Sequence, residues 1–133
     1  MIATIWESMG FTRWPLAFSV VVIAALTMFS GFRLFRSDAS ADLRSKAFVD
    51  AILFWGGFAV IWGVLGTLIG ITIAAQAIEA AGAVSTTLVW GGIKVAMLTS
   101  LFGMLILVIA SLIWFVLQLR WRLLQADEEA EED

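Results

Sequence analysis

The chain contains no histidine, no cysteine and no tyrosine, and its 133 residues include a single proline. Without His or Cys there is no thiol nucleophile, no disulfide, no Ser-His pair and no His/Cys metal site. Charge is also scarce. Only 14% of residues are Asp, Glu, Lys or Arg, and six of the eleven acids crowd into positions 127–133. Between residues 51 and 126 the one acid is Glu79, so neither late apolar run carries a carboxylate near its middle. A proton relay across a membrane needs an ionisable group at that depth, and this chain does not bring one. With no nucleophile-base set and no cofactor motif, no enzyme, metal or cofactor is expected. Nothing in the charge pattern points to nucleic acid.

What is present is apolar: 62% of the residues are hydrophobic, more than one soluble core of this size can hide. The expected class is an all-α membrane protein with three transmembrane helices. Residues 1–14 read as an interfacial segment, with Trp6 and Trp14 at headgroup level. Residues 15–32 form the first span, with Pro15 in its first turn, where a missing N–H costs nothing. Glu7 offsets Arg13 and no A-x-A site follows the run, which argues for a retained span over a cleaved leader. A short linker over residues 33–46, rich in Ser and Asp, supplies helix caps. The second span covers residues 47–79, a turn follows over 80–87, and the third span covers 88–124. Both late spans are overlong, since roughly 30 helical residues extend about 45 Å against the ~30 Å a hydrocarbon core needs. Residues 125–133 are expected to be a disordered acidic tail.

Orientation follows from the flanking cations. Arg33, Arg36, Arg44 and Lys46 mark the linker side, and Arg120 and Arg122 exit on the same face, against Arg13 opposite. The N-terminus is therefore expected outside and the C-terminus in the cytoplasm.

Small residues recur at spacings of three and four in both late spans. Gly63, Gly66 and Gly70 lie on one such stripe, and Gly92, Ala96 and Gly103 on the other, which permits close helix packing. The two helices run antiparallel from the turn, and counting from it puts Thr67, Thr99 and Ser100 at one level near mid-membrane. They are candidate pore-lining hydroxyls, although each could instead bond back to its own i−4 carbonyl. Lys94 points about 140° away from Thr99 at ~100° per residue. It is a candidate for snorkelling, for a charge pair with Glu79, or for a charge filter.

The stretches VLGTLIGI (64–71) and GGIKVAMLTSLFG (91–103) resemble the last two membrane helices of the MotA/TolQ/ExbB proton-channel superfamily. The first holds a G-T-x-x-G core at Gly66, Thr67 and Gly70. The second is closer to the MotA form, with Thr99 and Ser100 at its hydroxyl pair. The resemblance implies a homopentameric bundle whose second and third helices line a central pore. It implies a multi-pass protein of the bacterial cytoplasmic (inner) membrane, and a single-span ExbD/TolR/MotB-like partner supplying the aspartate that this chain lacks. Lipid is the other expected occupant of such a pore. Three features depart from the family pattern: Val95 stands where ExbB-type members carry glutamate, Lys94 has no counterpart, and the short linker replaces a cytoplasmic domain. The expected function is a pore-forming subunit of an ion-motive-force-driven channel or stator complex. The competing reading is a non-conducting scaffold or accessory subunit that packs on another membrane protein through its small-residue stripes.

Overall fold

The computed structural model describes residues 13–36, 42–82 and 85–132. It consists of three α-helices: α1 (Arg13–Leu34), α2 (Leu43–Ala81) and α3 (Thr86–Glu132). All three are long and apolar enough to cross a membrane. Most of the proposed interfacial segment lies outside the described residues.

Local chemistry sets the helix ends. Within α1, Ser19 and Thr27 donate their hydroxyls to the carbonyls of Pro15 and Ile23, a way of placing a polar side chain in an apolar helix. Asp42 precedes α2 in extended backbone and makes no side-chain cap. Its carboxylate lies 4.0 Å from Arg33 instead. Gly82 stops α2 in the left-handed region at φ 72°, donating its N–H to Ile78, a geometry that glycine adopts without steric penalty.

The end of α3 corrects the sequence reading. The helix does not stop near residue 124 but continues to Glu132, so residues 125–132 are helical where disorder was expected. Gln, Ala and Glu are strong helix formers, while like-charge i,i+4 pairs cost only a few tenths of a kcal/mol each. Propensity therefore outweighs the repulsion.

Packing is dominated by the α2–α3 hairpin. A Cβ on Gly103 would fall 2.6 Å from the Ala59 carbonyl oxygen, and one on Gly63 would fall 2.9 Å from that of Thr99. Gly56 similarly faces Ala110 at 2.8 Å, Gly70 faces Ala96 at 3.1 Å, and Gly92 faces Ala74 at 3.7 Å. Gly66 is buried on the same helix. These pairs hold the two backbones in contact along most of the hairpin, the arrangement small residues permit where lipid offers no hydrophobic drive.

Helix α1 runs beside the linker-proximal part of that hairpin. Phe29 stacks edge-on against Phe48, Phe18 against Trp55, and Leu16 clusters with Ala59, Trp62 and Phe102. This antiparallel register brings Arg13 level with about residue 62, and Thr67 therefore lies roughly 7 Å beyond the start of α1 by helical rise.

At the opposite end, aromatic and charged groups fasten the three helices together. Trp121 is 7% exposed and packs with Leu34, Val49 and Ile52. Its indole N–H donates to the Asp42 carbonyl at 3.3 Å, and the Lys46 ammonium lies 5.0 Å from its ring centre. Trp114 donates to the Asp50 carboxylate at 3.1 Å, and Arg120 stacks over Phe35. Cation–π contacts of this kind add about 0.5–1 kcal/mol each where exposed.

Candidate functional site

Thr67 is the hinge of the site. Its hydroxyl lies 3.1 Å from the Gly63 carbonyl on its own helix and 2.8 Å from the Ala96 carbonyl across the seam. One hydroxyl proton serves one carbonyl at a time, and the shorter contact is the interhelical one. Thr67 thus ties α2 to α3 at the level of residues 96–100, worth about 0.6 kcal/mol and up to ~1.7 for such bonds in membranes. Both local back-bonding and a cross-helix link are met in one residue.

The structure separates the remaining candidates. Thr99 is 3% exposed and sits in the seam, its carbonyl against Gly63, so it does not lie on an open face. Ser100, the next residue, is half-buried and reaches a groove of about 590 Å³ on the flank of the hairpin. Thr67 and Lys94 line the same groove, together with Trp90, Met97 and Met104. Lys94 and Thr99 thus stand on different faces, Lys94 on the groove and Thr99 in the seam. The angular argument took Thr99 as its reference, and Thr99 is the hydroxyl that turns inward. Ser100, 100° further round the helix, is still about 120° from Lys94, and the two stand on opposite flanks of one open groove with Met97 between them.

No residue of α1 lines this groove. Phe102 and Ile106 of α3 pack toward α1's Leu16, whereas Ser100 and Met104 project about 120–160° from them at 100° per residue. Among the described residues, the groove is thus on the side of the hairpin that α1 leaves uncovered.

Its electrostatics are one-sided. Lys94 is the one Lys or Arg between residues 47 and 119, and among the described residues no ion pair links it to Glu79. Asp50 is far away at the linker end, committed to Trp114. The groove offers two hydroxyls and one ammonium, with no carboxylate. It can orient water or an anionic group. Trp90 was missed as a site residue in the sequence, although its i,i+4 spacing to Lys94 is the signal that places both on one face.

No curated protein and no solved structure matches the chain. A model of the MotA/TolQ/ExbB proton channel family matches residues 33–129. That stretch takes in all of α2 and nearly all of α3, with Thr67, Lys94 and Ser100 inside it. It also reaches well beyond the two motifs that carry the resemblance in the sequence, into the linker-end cluster. With well over half of the chain matched, the protein belongs to the MotA/TolQ/ExbB proton channel family.

Proposed function

We propose that the chain is the pore-forming subunit of an ion-motive-force-driven channel or stator-type complex, with α2 and α3 lining a central pore in a homopentamer. The observation that carries this is the convergence of Thr67, Ser100 and Lys94 on one groove that α1 leaves open. In a ring of subunits with α1 outermost, that flank faces the axis or the neighbouring subunit. Thr67 and Ser100 are the pore-side hydroxyls, and Thr99 stands behind them holding the seam. The six cations of the linker end support a cytoplasmic place for that end and the C-terminus, with the N-terminus outside, and a bacterial inner membrane is the setting that goes with this reading.

The groove's lack of a carboxylate shapes the mechanism. Hydroxyls hold water in file, but a proton relay needs a group that ionises. A single-span ExbD/TolR/MotB-like partner would bring that group, and the work done would be motion of the partner's helix. The test is ion flux in proteoliposomes, with the chain alone and co-expressed with a single-span protein from a neighbouring reading frame. Thr67→Val and Ser100→Ala are expected to lower flux while leaving oligomer mass unchanged. Unchanged flux in both variants would sink the pore assignment.

One observation favours the second reading, a non-conducting scaffold. An ammonium on the groove repels the cations a proton or sodium pathway conducts. If no preparation conducts while Gly70→Leu abolishes association with a partner, the scaffold reading stands.

A further inference from the structure

We infer that the groove beside Lys94 binds one anionic phospholipid, its phosphate at the lysine and one acyl chain along α3. Lys94 is the one charged residue of α3 between residues 86 and 119, and a charge at such a place calls for a counter-charge. Helical side chains lean toward the N-terminus of their own helix, so Lys94 extends toward Trp90 and the turn end. Trp90 is 65% exposed, suited to the headgroup level that tryptophan favours. From Trp90 the groove runs past Met97 and Leu101 to Met104, about 21 Å by helical rise. The order along it is aromatic, cation, then apolar wall, which is the order of an anionic lipid from interface to chain.

The lining favours a lipid chain: around and beyond Lys94 the wall is Ile93, Met97, Leu98, Leu101 and Met104, with Ser100 and Thr67 as its hydroxyls.

Native mass spectrometry of the full chain in detergent tests this. The protein is supplied with phosphatidylglycerol or with phosphatidylcholine of the same acyl composition, and a third arm adds inorganic phosphate alone. Phosphatidylglycerol is expected to be retained about fivefold more than phosphatidylcholine, the scale of one lysine's attraction for an anionic lipid. Lys94→Gln should remove that preference and Lys94→Arg should keep it. Leu101→Trp, which fills the apolar part and leaves the lysine, should lower retention of both lipids. Equal retention of the two lipids by the unsubstituted chain overturns the inference, as does an undiminished preference in Lys94→Gln. Displacement of the lipid by inorganic phosphate would show a free-anion site instead, and a protein co-purifying in a Lys94-dependent way would show a protein site. The lipid is the occupant of the groove when the partner is absent and gives way to the water file of the conducting complex; ion flux does not enter this readout, so its failure is separable from failure of the pore reading.

Discussion

Replacing Gly103 with alanine tests the physical basis of the hairpin. The added Cβ falls 2.6 Å from the Ala59 carbonyl oxygen and 3.2 Å from the Val60 Cα. A relaxed carbon–oxygen contact is about 3.3 Å or longer, so the deficit is about 0.7 Å. Both opposing atoms are backbone, so no rotamer change relieves the clash and the helices must part. Overpacking of this kind costs about 1–3 kcal/mol. Parting the helices also stretches the 2.8 Å bond from Thr67 to Ala96, adding about 0.6 kcal/mol or more. Set against the roughly 1 kcal/mol that alanine gains over glycine in a helix, the expected net loss is about 1–3 kcal/mol. Gly57 is the internal control, because a Cβ there meets nothing within 4 Å. Alanine is favoured over glycine in a helix by about 1 kcal/mol, so Gly57→Ala should leave stability unchanged or raised. Reversible unfolding in mixed micelles, followed by far-UV circular dichroism against the fraction of denaturing detergent, reads both variants. If Gly103→Ala unfolds at the same midpoint as Gly57→Ala, the close approach of the two backbones is not what holds the hairpin.

Other consequences follow from the same contacts. Thr67→Val, which removes the cross-helix hydroxyl, should cost about 0.6–1.7 kcal/mol in that assay, and Thr67→Ser should restore most of it. Trp121→Ala should cost about 3–5 kcal/mol, since it empties the linker-end core and strands the Asp42 carbonyl; Trp121→Phe should cost distinctly less. Removing residues 126–133 should lower the helical ellipticity by the share those residues contribute, and unchanged ellipticity would mean the acidic end is not helical in solution. Thr99→Val should leave ion flux closer to the unsubstituted level than Ser100→Ala does, because its side chain is in the seam; the reverse order would place Thr99 on the pathway.

Much of the architecture could be read directly from residue order. Long apolar runs separated by a linker and a turn imply three spanning helices, because a membrane leaves the backbone few other ways to satisfy its hydrogen bonds. The spacing of Gly63, Gly70, Gly92, Ala96 and Gly103 marked the faces on which two helices come close. The level of Thr67 with residues 96–100 followed from counting outward from one tight turn, because helical rise is constant. The paired motifs at 64–71 and 91–103 pointed to the family that the match over 33–129 establishes.

Other features depended on how the helices sit against one another. Rise and rotation per residue describe one helix and carry no information about which side its neighbour occupies. Thr99 and Ser100 are adjacent hydroxyls with nearly equal claims in the sequence, and only the position of α2 buries the first and opens the second. The same placement brings Lys94 and Trp90 into the groove with Thr67. The offset of α1 along the hairpin is also tertiary, set by Phe18 on Trp55, Phe29 on Phe48 and Arg33 beside Asp42. The helical end over residues 125–132 is a different case: propensity favoured it from the start, and the density of acids concealed it. Sequence by itself determined the spans, their hydrophobic character and the small residues that let α2 and α3 meet, because those properties belong to single helices. The rotation and offset of one helix against another decided which polar groups share a groove, because that depends on contacts between residues far apart in the chain.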